Sequence, residues 1–270
     1  MKSDSVTSVL IVGCGWVGKK LGQYLSDKGY KVYGTTRSEQ NFSEIKEHNI
    51  TPIKLQLPID KIQNIELPKV DSVVISISPG RGENRNTYPE IIRQLGELWK
   101  ETNTQVLMYS STGVYGNAKG KISENDFSPD VNSSNVICAA EGTLKKLLSD
   151  SVILRLAGLY GEDRHPVKYL AGRTDISDGD APVNLVHRDD VIEATEVMIK
   201  NKVRSEVFNV CSPVHPKKSE LYPAIAKRLE LDEPEFLDGG GNGKEISSDK
   251  IQKVLHFDFE NADPLNFKKL

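Results

Sequence analysis

The sequence predicts an α/β fold: a doubly wound parallel sheet with a small C-terminal lobe. Three observations predict it. Short, continuous apolar runs recur along the chain, the pattern of strands buried on both faces. Amphipathic helical patterns alternate with them. The first apolar run ends in a glycine-rich turn that opens a helix. The composition agrees. The chain has 270 residues, 37% of them hydrophobic and 27% charged, enough for one large α/β unit or two small lobes without staples.

Val9-Leu10-Ile11-Val12 is β-branched at three of four positions and reads as the first strand. It runs into Gly13-Cys14-Gly15-Trp16-Val17-Gly18, a G-x-G-x-x-G. Val17, Leu21 and Leu25 then recur on one helical face, and Gly29 is a natural stop. A second strand follows over Lys31 to Thr36. This βαβ context makes the motif a dinucleotide-binding fingerprint of the Rossmann type. Gly13 permits a tight turn, Gly15 lets backbone approach a pyrophosphate, and Gly18 lets helix pack on strand. The start of the helix, at Trp16 and Val17, offers N–H groups and a partial positive charge to phosphates.

The end of the second strand bears on the cofactor. A site for NAD usually carries Asp or Glu there. Here the residues are Gly34-Thr35-Thr36-Arg37-Ser38, and no carboxylate comes before Glu39. Arg37 can pair with a 2′-phosphate, with Thr36 and Ser38 beside it, which favours NADP over NAD; the alternative is a solvated loop arginine. A third strand is expected over Ile53 to Leu57 and a fourth over Val70 to Ile77. Ser76 and Ser78, at the C-terminal end of the fourth, are cofactor neighbours or plain strand-end serines.

After a helix around Glu90 to Lys100, Gln105 to Tyr109 reads as a fifth strand. It ends in Ser110-Ser111-Thr112-Gly113-Val114-Tyr115-Gly116. This S-S-T-x-V-Y-G resembles the extended short-chain dehydrogenase/reductases, the NAD(P)-dependent epimerase/dehydratase family. Ile153 to Gly161 (I-L-R-L-A-G-L-Y-G) and Val183 to Val191 (V-N-L-V-H-R-D-D-V) extend the resemblance over nearly the whole chain. Leu154 to Gly158, Arg164-His165-Pro166 and Asn184 to His187 are similar to the YeeZ-like branch. The resemblance implies a catalytic position for Ser111, whose hydroxyl would hold the reacting substrate oxygen. It also implies that Ala157 and Gly158 lie beside the nicotinamide.

The family's Tyr-x-x-x-Lys has no counterpart at the expected helix. No Tyr occurs between Tyr115 and Tyr160, and the slots fall on Ser133 with Ile137, or Asn135 with Ala139. Neither pair can tune and exchange a proton. Tyr24 with Lys28 belongs to the first helix. Tyr115, followed by Lys119, is a surrogate acid or a packing residue.

Val152 to Leu156 reads as a sixth strand and Val207 to Val210 as another. Arg164, His165, Lys168 and Arg173 bring ionisable groups to a loop that would hold a phosphate or carboxylate of substrate, or stay solvated. His187 and Asp190 resemble the family's substrate-lobe motif, and Asn184 and His187 are substrate-binding candidates; a buried, hydrogen-bonded His187 is the other reading. Asp190 with Glu193 reads as a capping box. Gly239 to Gly243 reads as a flexible loop or lid.

The domain expectation is an NAD(P)-binding Rossmann domain over 1–156 and, over 157–270, a mixed region with further strands and the substrate lobe. Net charge −3 gives no field to hold nucleic acid or a membrane surface. No apolar run reaches the ~20 residues of a membrane span. The five His make no i, i+4 pair, so no metal site is expected. Three dispersed Cys form no framework and point to the cytoplasm. The expected function is an atypical epimerase/dehydratase-type oxidoreductase acting with NADP, or NAD, on a small polar or sugar-like molecule. The alternative is a non-catalytic NADP(H)-binding sensor or scaffold. Oligomeric state is left open.

Overall fold

The computed structural model describes residues 6–60, 65–80, 82–161 and 163–268. In chain order the elements are β1 (Ser8–Val12), α1 (Trp16–Asp27), β2 (Lys31–Thr36), α2 (Phe42–Glu47), β3 (Thr51–Lys54), β4 (Ser72–Ile75) and α3 (Tyr88–Trp99). They continue as β5 (Gln105–Ser111), β6 (Gly120–Ile122), α4 (Val136–Leu147), β7 (Val152–Leu156), β8 (Gly158–Tyr160) and β9 (Leu185–His187). The chain ends with α5 (Arg188–Lys200), β10 (Val207–Val210), α6 (Lys218–Arg228), β11 (Lys244–Ile246) and α7 (Asp249–Leu255).

A seven-stranded parallel sheet has the order β10-β7-β5-β4-β1-β2-β3. Val9 pairs with Val32 on one side and with Ser72 on the other. The chain therefore leaves β1 in one direction for β2 and β3, then crosses back to β4 on the opposite side. Such a reversal leaves a crevice at the C-terminal ends of β1 and β4, where open α/β sheets bind ligands. Burial on both faces accounts for the unbroken apolar runs: Leu10, Ile11, Val12, Val73, Val74 and Ile75 are all fully buried.

The structure corrects several element boundaries. The third strand is Thr51–Lys54 rather than 53–57, because its pairing with β2 runs from Tyr33↔Thr51 to Thr36↔Lys54 and ends where β2 ends. The fourth is Ser72–Ile75, shorter than its apolar run. The helix expected at Glu90 begins at Tyr88. Gly29, at φ +86°, follows the end of α1 in the left-handed region that glycine adopts without penalty.

The chain divides into two compact units, each assembled from three stretches. Unit 1 comprises the described residues up to Ser110, Ser128–Leu154 and Thr195–Val207; unit 2 comprises Ser111–Phe127, Arg155–Ala194 and Phe208 onward. In unit 1, Leu10, Val12, Val73, Ile75, Val106 and Met108 pack with Tyr88, Ile92, Leu95 and Trp99 of α3 and with Ala140 and Leu144 of α4. Each Val, Leu, Ile or Met side chain among them contributes roughly 1.5–3 kcal/mol by leaving water. Unit 2 has a smaller core of Tyr160, Val167, Val183, Leu185, Leu221, Ile225 and Phe267. Its strands form two short parallel pairs, β8 with β9 and β6 with β11. Among the described residues, no helix is long and apolar enough to cross a membrane.

Candidate functional site

Unit 1 carries the glycine turn at the sheet's point of reversal. Gly13, at φ +101°, has no room for a side chain, since a Cβ would lie 2.7 Å from Ile77 and 3.1 Å from the Ser76 carbonyl. A Cβ on Gly18 would lie 2.4 Å from the Gly13 carbonyl, so its glycine lets α1 sit on the turn. Gly15 is different: it is exposed, and a Cβ there would meet nothing within 4 Å. The open space faces the N-terminus of α1, which has no side-chain cap and no acid in its first turn. Its partial positive charge is thus left for an external anion. Trp16 and Val17 form the first turn of that helix. This cradle fits a dinucleotide pyrophosphate.

The turn is held from β2. Thr35 accepts from the Gly13 N–H through Oγ1 (3.0 Å) and from the Cys14 N–H through its carbonyl (2.9 Å). Gly34 must be glycine, because a Cβ would lie 2.3 Å from Cys14 Sγ. Burial pushes the Cys14 thiol up to about 12, so it remains protonated and unreactive at neutral pH.

Past β2, Arg37 is exposed. The Thr36 hydroxyl accepts from Asn41 Nδ2 (3.0 Å), and Ser38 Oγ accepts from the Gln40 N–H (3.3 Å). Glu39, the first acid after β2, is paired with Lys54 at 2.9 Å. Ser76 stands against the Gly13 turn, while Ser78 is exposed two residues further on. The residues named for the cofactor from Gly13 to Ser78 all lie in this unit.

The remaining named residues fall in unit 2. Ser111 caps a short 3₁₀ turn over Thr112–Tyr115, its Oγ accepting from the Gly113 N–H at 3.1 Å. The turn is anchored by Tyr115, which is 4% exposed. Its hydroxyl donates to Asn209 Oδ1 (2.6 Å) and accepts from Arg155 Nη1 (3.0 Å). Arg155, itself wholly buried, also donates to the Phe127 carbonyl (3.0 Å) and lies 5.1 Å from the Tyr115 ring centre. Burial raises the Tyr115 pKa, and the Arg155 charge only partly opposes it. Glu124, whose Oε1 accepts from the Asn209 N–H (2.6 Å), is also raised by burial.

Asn184 brackets β11: its Nδ2 donates to the Lys244 carbonyl (2.8 Å), and its Oδ1 accepts from the Ile246 N–H (2.7 Å). Lys244 Nζ donates to the Gly116 carbonyl (2.9 Å) and the Thr112 carbonyl (3.5 Å). Gly158 follows the buried Ala157, and its N–H donates to the Asn184 carbonyl at 3.1 Å.

His165 is buried against Tyr160 and Phe267, with Nδ1 accepting from the Val167 N–H (3.2 Å). Burial, aided by Lys168, lowers its pKa to about 4, so it carries no charge at neutral pH. Lys168 donates to the Asp163 carbonyl (3.0 Å), and Arg164 is exposed. His187 is buried edge-on to Tyr160, its Nδ1 accepting from the Asp189 N–H at 3.3 Å.

The Asp190 carboxylate reaches beyond its own helix. The helix begins at Arg188, and the Asp190 carboxylate accepts from the Glu260 N–H (2.9 Å) and the Asn261 N–H (3.3 Å). The expected lid is docked: Gly239 exchanges hydrogen bonds with Asp180, and a Cβ on Gly240 would lie 2.4 Å from that of Asp178.

The family model for the NAD dependent epimerase/dehydratase family matches residues 9–211. The chain belongs to that family. It is 33% identical over 267 residues to protein YeeZ of Escherichia coli K12, covering 95% of this chain and 97% of YeeZ. Two solved structures share the fold. One is UDP-glucuronic acid 4-epimerase from Bacillus cereus in complex with NAD: TM-score 0.75, 19% identity, 96% of this chain and 94% of that one. The other is the human epimerase family protein SDR39U1 with NADPH: TM-score 0.73, 15% identity, 96% of each chain.

Sequence reasoning did not single out Thr35, Arg155, Asn209 or Lys244. Thr35, Arg155 and Asn209 lie within expected strands, but nothing in their spacing points to the Gly13 turn or to Tyr115, which stands 40 residues before Arg155. In this family member, the start of α4 is capped by Asn135, whose Oδ1 accepts from the Ile137 N–H (3.0 Å) and the Cys138 N–H (3.4 Å). Ile137 and Ala139 are buried.

Proposed function

We propose that this chain is an NADP(H)-binding oxidoreductase of epimerase/dehydratase type, acting on a small polar or sugar-like substrate without the usual Tyr-x-x-x-Lys dyad. NAD is the secondary cofactor. The observation that carries the reading is the open space at Gly15, facing the uncapped N-terminus of α1. Gly13, Gly15, Gly18 and the first turn of α1 at Trp16 and Val17 would hold the pyrophosphate. Arg37, with Thr36 and Ser38 beside it, would hold a 2′-phosphate. Ser76 and Ser78, and by family resemblance Ala157 and Gly158, would complete the dinucleotide contacts. Family membership favours this reading over a sensor or scaffold.

The bound dinucleotide supplies hydride chemistry. On the protein side, Ser111 holds the substrate oxygen by a hydrogen bond. Tyr115 keeps the Ser111 turn in place, because its hydroxyl is already engaged by Arg155 and Asn209. Arg164 and Lys168 would attract an anionic substrate, and Asn184 and His187 shape the same lobe. Localisation in the cytoplasm fits the dispersed, unpaired cysteines. Calorimetric titration tests the cofactor reading: NADPH should bind more tightly than NADH, and equal affinities would overturn it.

A further inference from the structure

The turn that carries Ser111 has an ammonium group on it. Lys244 Nζ spans the turn, donating to Thr112, the residue after Ser111, and to Gly116, which closes the turn. Two carbonyls take two of its three N–H groups and leave one. The backbone beneath is fixed twice. β11 pairs with β6 in register Lys244↔Gly120, and the Asn184 side chain brackets Lys244 and Ile246. Side chains alternate along a strand, so Glu245 points to the other face from Lys244. Lys121 of β6 pairs with Asp249 instead (3.3 Å). Partial burial without a carboxylate partner lowers the Lys244 pKa. A charge held this way is structurally expensive where two carbonyls are its only return.

We propose that Lys244 supplies the cation of the Ser111 site: its ammonium clamps the Ser111 turn and presents its remaining N–H to an anionic ligand oxygen held by that serine. The assignment rests on the reading of Ser111 given above. It gives unit 2 a positive charge beside Ser111 from within its own residues.

The test needs no substrate. A carboxylate at position 111 stands in for the ligand oxygen. In the full chain labelled with ¹³Cε-lysine, Lys244→Met assigns the Lys244 signal by its disappearance, and titration reads its pKa. Ser111→Asp should raise that pKa by about one unit or more, and Ser111→Asn should leave it unchanged. Equal values in the two variants would overturn the proposal, because the ammonium would not face residue 111. Should Ser111→Asp fail to fold, amide exchange across 112–116 decides. Lys244→Met should speed it about tenfold, and Lys244→Arg should restore protection; unchanged exchange in Lys244→Met overturns the clamp. NADPH calorimetry on the unaltered chain is read separately. Failed dinucleotide binding with a shifted Lys244 would sink the cofactor reading alone.

Discussion

The dinucleotide cradle of unit 1 is held by local sequence, and the Ser111 turn of unit 2 by distant partners. In unit 1 the glycine turn, its helix and the strand that pins it occupy Ser8–Thr36. In unit 2 the strands are three residues long, and buried polar groups do the joining. Arg155 meets Tyr115 across 40 positions, Tyr115 meets Asn209 across 94, and Asp190 meets Asn261 across 71. A hydrophobic layer tolerates small adjustments, whereas a buried polar network depends on every member being satisfied. The dinucleotide cradle should therefore be editable without loss of fold, and the substrate lobe should not.

The largest expected effect breaks unit 2. Arg155→Ala removes a wholly buried guanidinium and takes a donor from both the Phe127 carbonyl and the Tyr115 hydroxyl. It should cost about 3–5 kcal/mol of unfolding free energy, the range for opening a buried charged contact. Urea titration measures this, and a loss below about 1 kcal/mol would show that the network is not what holds the lobe. Next in size is Gly15→Val. The added side chain enters open space, so the melting temperature should hold within a few degrees. NADPH affinity should fall at least about a hundredfold, because the same space is needed by the pyrophosphate. Unchanged affinity would mean that the loop is only a turn.

A smaller effect sharpens the cofactor half of the comparison. Arg37 is exposed at the edge of its unit, so its removal should leave stability alone. Arg37→Ala should weaken NADPH by about tenfold and NADH hardly at all, the scale of one charge-assisted contact to phosphate. Equal weakening of both cofactors would place Arg37 at the pyrophosphate or the adenine instead.

What could be read in advance follows the same division. The first βαβ was legible because its signals are contiguous: an apolar run, three spaced glycines, a helical stripe and Gly29. The position of Arg37 was legible because it directly follows β2. The third strand was set two residues late because its end is decided by pairing with β2, which apolar content does not encode. At Asp190 the local signal D-x-x-E reads as a helix cap, and it carries nothing of the Glu260 and Asn261 N–H groups, some 70 residues away, that the carboxylate accepts from. His165 looked like one of a basic group, but burial, which a lone R-H-P does not reveal, makes it neutral. Lys244 lacked any signal, since its role depends on a turn 128 residues earlier.

In the unaltered chain the smallest expected effect comes from two buried titrating groups in unit 2, because their opposite signs cancel. Burial raises Asp190 from 3.8 to about 6. Between those values the folded state holds more protons than the unfolded one, so this contribution is complete below pH 3.8 and is lost as pH rises through about 6. Burial lowers His165 from 6.5 to about 4. There the unfolded state holds more protons, so that contribution is complete above pH 6.5 and is lost as pH falls through about 4. Over pH 4–6 the two slopes, each up to about 1.4 kcal/mol per pH unit, oppose each other. Glu124, also raised, adds to the Asp190 side. Removing one partner should uncover the other. His165→Asn keeps an acceptor for the Val167 N–H but no longer titrates, so stability should then fall as pH rises from 4 to 6. Asp190→Asn should give a shallower fall or a rise over the same range. Urea unfolding at half-unit steps of pH distinguishes the pair, and parallel profiles in both variants would show that neither group titrates differently on folding.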